Sequence, residues 1–446
     1  YYCRKAYIGR HNASTIVALP CVVNRIMNRP GSSEDRRGLA SHEDDTYTRV
    51  GITCRQTRYG AHAGSKRHGQ AIQKTETSMN FTHEQTVKLD ELAGALVTPD
   101  AATPIIEPYS DSDGYWFGSG NMQEDRDGTL FIVGRYRNAG DSRHGLAAGS
   151  RGVELAVFRS DDAGARFQKM LSFSKDDLRT PDGDVLSIEG AKLIISSLGV
   201  ELITSTERRM PYPPEVADFQ KPGTGVWTID RKQADSVEEL ENARLEPIVK
   251  GASPDTLHVK DPVVYETAGG ETLLYFCFHP YTWASSNTGL TRRPEPGAAF
   301  GAPDYRAFDR GFAWDVAISR VTAVWDVPRL GAFSDVPDAR LVFYDGGECM
   351  RNLEEHTKAR KRPRGYSCEE LGGLAASTDP DLRRIERLSP LFPRFVSPAG
   401  TGCVRYVDVF TGRDGVYATW QQSTDTRAQP LMMNVLSHSE VERILG

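Results

Sequence analysis

The stretch Ser187-Ile188-Glu189-Gly190-Ala191-Lys192-Leu193-Ile194-Ile195-Ser196-Ser197 decides how the rest of the chain is read. Its apolar and β-branched residues, with Gly190 near the start and serines at the end, predict a β-strand. Glu189 is out of place there, because an acid at the mouth of an apolar strand is costly to bury unless it is paired or used. The arrangement recurs. His258-Val259-Lys260-Asp261-Pro262-Val263-Val264-Tyr265 opens another strand with an acid, and Gly365–Leu374 (with Glu369 and Glu370) and Arg405-Tyr406-Val407-Asp408-Val409-Phe410 supply two more. Strands built this way are expected to surround one axis and to aim their acids into one pocket.

Outward from that stretch, residues 114–446 read as short strands broken by Gly, Asp and Asn turns. Four strands fall within 114–123, 128–137, 153–159 and 167–173, the content of one propeller blade. A second group spans 185–197, 200–206, 226–230 and 247–249. A third takes 258–266, 272–279, 312–327 and 331–333. The fourth joins 365–377 to 341–344 and 384–389, and the fifth holds 403–411, 415–422 and 431–436. Repeats of this length and texture predict an all-β, five-bladed β-propeller, with six blades or a pair of β-sandwiches as alternatives. Helices flank it. Val87, Leu89, Leu92 and Leu96 recur at helical spacing behind a Thr82 cap in 82–97, and 439–445 forms a last short helix. Residues 236–243 and 379–387 also carry some helical character.

The 446 residues are 39% hydrophobic and 26% charged, enough for a large core. Charge is uneven: residues 1–78 hold 13 Lys and Arg against 6 Asp and Glu, the remainder 41 against 54. The basic segment lacks periodicity and is rich in Arg, Ser, Thr and Gly, so it is expected to be a disordered or non-native leader rather than a nucleic-acid arm. Residues 79–113 then make a short helix and linker. No apolar run reaches the roughly 18 residues of a membrane span, and no convincing signal peptide precedes the chain, so a cytoplasmic protein without membrane or nucleic-acid partners is expected. The seven cysteines show no Cys-x-x-Cys spacing; neither a zinc cage nor a disulfide framework is expected, and reduced thiols fit.

Taking the same point in each repeat brings Asn121, Glu189, Asp261, Glu369 and Asp408 together. Convergent carboxylates suit glycosidic bond cleavage: one protonates the leaving oxygen, a second acts as base or nucleophile, and their proximity raises one pKa. Glu189 is expected as the acid and Asp261 as base or pKa-setting group, with the roles open to exchange; Glu369 and Asp408 complete the ring. Trp116, Trp283, Trp314 and Tyr406 could stack on a sugar, with Tyr115 and Tyr281 nearby. Arg135, Arg137, Arg143, His144 and His279 could touch it. The expected partner is therefore a carbohydrate. No cofactor or metal is expected; calcium in the channel is left open, without an Asp-x-Asp-x-Asp loop to hold it.

Glu189-Gly190-Ala191 and its apolar continuation resemble the Glu-Gly-Pro strand that carries the general acid in glycoside hydrolase family 43. Lys260-Asp261-Pro262-Val263-Val264-Tyr265 is similar to the Asp-Pro strands of that family and of the invertase-like family 32. The resemblance implies a five-bladed propeller with three acids at the channel mouth. Two departures stand out: the Glu-Gly strand here precedes the Asp-Pro strand, and Gly118-Ser119-Gly120-Asn121 replaces an early Asp-Pro. A second resemblance is Ser160-Asp161-Asp162-Ala163-Gly164-Ala165-Arg166-Phe167, which looks like the Asp box of sialidase propellers. It implies a sialidase-like hydrolase of acidic sugars as one alternative, with Arg135, Arg143, Arg364 and Arg405 as carboxylate binders. A non-catalytic carbohydrate-binding or scaffold propeller is the other.

Overall fold

Residues 81–138, 151–349 and 369–446 are described by a computed structural model, all within one compact unit, Thr75–Gly446. The leader expected at 1–78, and Arg143, His144 and Arg364, lie outside the described residues.

Helix α1 (His83–Leu96) and strand β1 (Thr103–Ile106) precede the first repeat. Blade one contains β2 (Trp116–Glu124), β3 (Leu130–Arg137), β4 (Gly152–Ser160) and β5 (Gln168–Ser174). Blade two contains β6 (Val185–Ser196), β7 (Gly199–Arg208), β8 (Val226–Ala234) and β9 (Leu245–Val249). Blade three is β10 (His258–Glu266), β11 (Thr272–His279), β12 (Asn287–Arg293) and β13 (Asp304–Phe308). Blade four is β14 (Ile318–Asp326), β15 (Arg340–Gly347), β16 (Leu371–Ser377) and β17 (Glu386–Arg387). Blade five is β18 (Val404–Thr411), β19 (Val416–Gln422) and β20 (Leu431–Leu436), followed by α2 (His438–Leu445). Each blade is a four-stranded antiparallel sheet, and β1 completes the fifth by pairing with β20. The first strands β2, β6, β10, β14 and β18 pack against one another in turn and line the axis. This is the five-bladed propeller, closed by joining the first and last strands.

The strands read for blades one, two and five hold within a few residues, but blade five has a fourth, β1, in what was expected to be linker. Blades three and four need correction. Residues 318–326 open blade four instead of finishing blade three, β12 and β13 were not foreseen, and 331–333 is a single 3₁₀ turn. Residues 379–387 are not helical, and 238–241 form only a 3₁₀ turn. Cys277 and Cys403 are free and buried, but Cys349 is disulfide-bonded, which corrects the expectation of thiols throughout.

Alternation explains the packing. Val133 and Leu155 of blade one meet Leu193 and Leu202 of blade two. Tyr275 and Leu290 of blade three meet Val342 and Leu371 of blade four. Each such side chain contributes about 1.5–3 kcal/mol by leaving water. Leu89, Leu92 and Leu96 of α1 and Val441 and Leu445 of α2 cover the seam of blades four and five. Both helices begin in capping boxes, Thr82 with Gln85 and Ser437 with Glu440. In the turn between β4 and β5, Ser160 Oγ donates to Asp162 Oδ1 (2.8 Å) and accepts from Gly164 N (3.0 Å), and Asp162 Oδ1 accepts from Arg166 N (2.9 Å). No helix among the described residues is long and apolar enough to cross a membrane.

Candidate active site

All five axial strands carry a register break near their start: at Gly118/Asn121, Ile188/Ala191, Lys260/Val263, Val321/Ala323 and Arg405/Asp408. A bulge kinks a strand and re-aims the side chain it carries. Ser119, Asp261 and Tyr406 adopt φ of 62°, 53° and 53° within these breaks. Gly190 allows the strands to close in: a Cβ there would lie 2.5 Å from Ser119 Oγ and 3.0 Å from Asp261 Oδ1. Bulged positions therefore gather Ser119, Glu189, Asp261 and Tyr406 at one level of the axis.

Four carboxylates and three guanidinium groups interlock there. Arg135 Nε and Nη2 donate to Glu189 Oε2 at 3.1 and 2.8 Å. Arg320 donates to Asp261 Oδ2 (2.8 Å) and Asp345 Oδ2 (2.6 Å), and its Nη2 lies 2.8 Å from Glu370 Oε2. Arg405 Nη1 donates to the same Glu370 oxygen at 2.6 Å. Asp261 also accepts from Gly190 N (3.2 Å) and from Tyr406 Oη (3.4 Å), with Lys260 Nζ 3.7 Å away.

The environment separates these acids. Burial would raise the pKa of Glu189, but Arg135, Lys260 and Arg137 outweigh it and bring the value down to about 2. Glu370 is likewise lowered: Arg320 and Arg405 overcome its burial. Asp345, fully buried, goes the other way to about 7, because burial and the neighbouring Glu370 prevail over Arg320. Glu207 on β7 is raised by burial, despite its ion pair with Arg151 and a 2.7 Å bond from Gly225 N.

Beside this cluster lies a cavity of about 410 Å³, lined by Glu207, Glu370, Lys260 and Arg151 and walled by Tyr212, Phe219, Trp227, Tyr281 and Trp283. Trp283, at φ 56°, stacks on His258 and packs on His279, each with ring centroids 4.4 Å apart. His279 is fixed by Ser285 O (3.0 Å) and Cys277 Sγ (3.2 Å). Burial pushes His258 down to about 3 and His279 well below the ordinary range, with Lys260 adding to both. Both rings stay neutral. The cavity thus offers aromatic walls and two carboxylates whose pKa values are driven in opposite directions, Glu207 up and Glu370 down, the combination that sugar recognition and acid–base chemistry need.

The foreseen residues divide. Glu189, Asp261, Tyr406, Arg135, His279 and Trp283 fall at the cavity or the charge cluster beside it. Trp116 lies near them, between the guanidinium groups of Arg137 and Arg405, each 4.3 Å from its ring centre. Asn121 and Asp408 do not join them. Both line a separate opening of about 370 Å³ further along the axial strands, next to a small void of about 10 Å³ at Ser119, Lys192, Asp261, Arg320 and Tyr406. Asn121 there exchanges two 2.8 Å bonds with the backbone of Leu193, and Asp408 pairs with Lys192 at 2.9 Å. Glu369 precedes β16, the third strand of its blade, and its neighbour Glu370 makes the axial contacts. Trp314 is buried in the seam of blades three and four, where its Nε1 donates to Ser389 O (2.9 Å).

Lys260, Arg320, Asp345, Glu207 and Trp227 were missed. Arg320 sits in an apolar strand, Ile318-Ser319-Arg320-Val321, and gave the same signal as Glu189 with opposite charge. Among the described residues no group of three or more His, Cys, Asp or Glu is arranged to hold a metal.

Comparison with family models and with curated proteins returns no match. Solved structures do share the architecture. One described as a glycoside hydrolase matches at TM-score 0.50 and 12% identity, covering 80% of this chain and 96% of its own. The GH43_1 enzyme from Xanthomonas citri complexed with xylotriose matches at TM-score 0.45 and 13% identity, covering 79% and 94%. A β-1,2-mannobiose phosphorylase from Listeria innocua matches at TM-score 0.45 and 12% identity, covering 78% and 97%. At these identities the likeness is one of fold.

Proposed function

We propose that the protein is a glycoside hydrolase that binds its sugar against Trp227, Tyr281 and Trp283 and cleaves it with the carboxylates at that end of the axis. The observation that carries this reading is the contrast between Glu189, held ionised at about 2 in the charge cluster, and Glu207, raised by burial on the wall of the cavity beside it. Paired groups whose surroundings drive their pKa values apart are the usual basis of acid and base assignment. The acid role expected of Glu189 passes to Glu207, which keeps a proton to higher pH. Glu189 becomes the base, or the carboxylate that stabilises positive charge on the sugar ring. Asp261 and Arg320 position it: Asp261 holds the Gly190 backbone beside it, and Arg320 holds Asp261.

The test is turnover of a panel of aryl glycosides (arabinofuranoside, xyloside, fructoside, sialoside) by wild type, Glu189→Gln and Glu207→Gln. Each variant is expected to lose about 10²–10⁴-fold in kcat. An activated aryl leaving group should rescue Glu207→Gln more than Glu189→Gln. Equal turnover by wild type and Glu189→Gln would remove Glu189 from the mechanism.

A second reading, a carbohydrate-binding propeller without catalysis, is favoured by one observation: Glu189, Asp261 and Glu370 are each held by an arginine. Binding of a sugar with no turnover across the panel would select it.

A further inference from the structure

We infer that the group cleaved from the sugar is an aromatic alcohol or phenol, whose ring docks on Phe219 and Tyr281 at the mouth of the aromatic cavity. That a sugar fills the inner part of the cavity rests on the hydrolase reading; the aromatic aglycone rests on the mouth itself.

The walls of the cavity become more exposed from one end to the other. Trp227 is 3% exposed, Trp283 and Tyr281 are half-buried, and Phe219 is 56% exposed. Glu207 stands opposite Trp227 in the β7–β8 register, and Lys260 Nζ lies 5.4 Å from the Trp227 ring centre. Charge is therefore gathered at the floor, where the sugar sits, and Phe219 marks the opening toward which the leaving group projects. Tyr281, two residues before Trp283, joins the two ends. Its ring meets that of Phe219 edge to face, with centroids 4.8 Å apart and planes at 75°. Two rings so disposed make a corner in which a third planar ring stacks on one and meets the other edge-on.

An exposed phenylalanine is ordinary by itself. This one is held in place. Phe219 ends a 3₁₀ turn, Pro214–Phe219, in the connection from β7 to β8. The next residue, Gln220, spends its amide on that connection: Oε1 accepts from Tyr212 N, and Nε2 donates to Met210 O and Thr224 O, each at 2.9 Å. Tyr212 and Val216 pack beneath it with Val226 and Leu257. A surface fixed before the ligand arrives loses little freedom on binding. The polar groups beside Phe219 are spent within the protein. Thr224 Oγ1 donates to Lys221 O at 2.7 Å, Tyr212 Oη meets His258 Nε2 at 3.0 Å, and Lys221 is itself engaged. A second sugar would bring hydroxyls that need partners here, whereas an aromatic ring needs only apolar contact. Hydrolysis at the floor then gives the hydroxyl of water to the sugar and a proton to the aglycone oxygen, and an aromatic alcohol leaves past Phe219.

The experiment is calorimetric binding of methyl, cyclohexylmethyl and benzyl 1-thioglycosides of the sugars in the panel, and of the matching thio-linked disaccharides. The protein is wild type, Phe219→Ala and Phe219→Tyr, each checked for fold by circular dichroism. For one sugar the benzyl form is expected to bind at least about tenfold tighter than the others, a margin that Phe219→Ala removes and Phe219→Tyr keeps. Turnover is read in parallel on the benzyl and methyl O-glycosides. Their leaving alcohols have similar acidity, so a higher kcat/KM for the benzyl form reports contact with the ring and not a weaker bond. Benzyl affinity no better than that of the methyl or cyclohexylmethyl form, a margin untouched by Phe219→Ala, or no binding of any form overturns the inference. A disaccharide that binds tighter than the benzyl form also overturns it and makes the mouth a second sugar subsite. Cleavage of methyl and benzyl glycosides at equal kcat/KM would keep the hydrolase reading and discard this one. A benzyl margin in binding, without turnover of any O-glycoside, would keep the aromatic docking and discard hydrolysis.

Discussion

His258 occupies a place where a proton is unwelcome. It is fully buried, its Nε2 meets Tyr212 Oη at 3.0 Å, and Lys260 stands nearby, so its folded pKa falls to about 3 against an ordinary 6.5. The unfolded chain therefore binds a proton that the folded chain refuses between those values. Stability is complete above pH 6.5 and drains away as pH falls toward 3, at about 1.4 kcal/mol per pH unit for one such group. Urea denaturation at pH 7, 6, 5 and 4 is expected to show this slope, and His258→Gln to flatten it. An identical slope in the variant would mean that other groups govern acid lability. Glu189 adds to the loss only below about pH 4.5, because its lowered pKa contributes stability above its unfolded value and surrenders it on the way down to about 2. The sequence made Glu189 and Asp261 visible because a charge interrupting an apolar strand has few bland explanations. It gave no such cue for Glu207, which follows Thr204-Ser205-Thr206 near the end of a polar strand face, or for Asp345, which precedes two glycines like an ordinary turn residue.

At the scale of the element, the bulged axial strand is the unit that makes a site. Gly190→Ala is expected to destabilise the protein by about 1–3 kcal/mol, since the new methyl must displace Ser119 Oγ or Asp261. Ser119→Gly should recover part of this in the double variant, by removing the clashing hydroxyl and relieving a left-handed residue at φ 62° worth about 1–2 kcal/mol. Thermal unfolding of the two single variants and the double variant checks the coupling; strictly additive effects would mean that the strands do not touch there. The bulges also mark where sequence reading fails. Strict alternation sends Lys260 and Asp261 to opposite faces, yet both reach the charge cluster, because the break between Lys260 and Val263 turns the chain. In the same way Asn121 and Asp408, taken as equivalent to Glu189, lie just past their breaks and face the other opening. Strand β12, Asn287-Thr288-Gly289-Leu290-Thr291-Arg292-Arg293, was missed because a glycine and two arginines hide its alternation. Missing it together with β13 shifted the strand count by two and moved the expected fourth-blade acid to Glu369.

Across the whole molecule, fivefold closure was legible because turn punctuation recurs at blade spacing, and blades one and two could be read strand by strand. The joining of β1 to β20 was not, since pairing between the two ends of a sheet system leaves no local pattern. It matters for stability. A chain starting at residue 108 would lack β1 and α1, leaving the β20 edge unpaired and the apolar seam under Leu89, Leu92 and Leu96 uncovered. Such edges invite association between copies. That truncation is expected to run as large oligomers on size exclusion and to melt lower than the intact protein; a monodisperse product with unchanged Tm would relegate the closing strand to decoration.

The direction of that junction has a mechanical meaning. Thr103 faces Met433 and Ile106 faces Leu431, so the start of β1 and the finish of β20 point the same way. Tension applied through the two ends of the chain would load this latch as a zipper, one rung after another, rather than in shear. The molecule should be compliant when stretched end to end and stiff when pulled between two loops of a single blade.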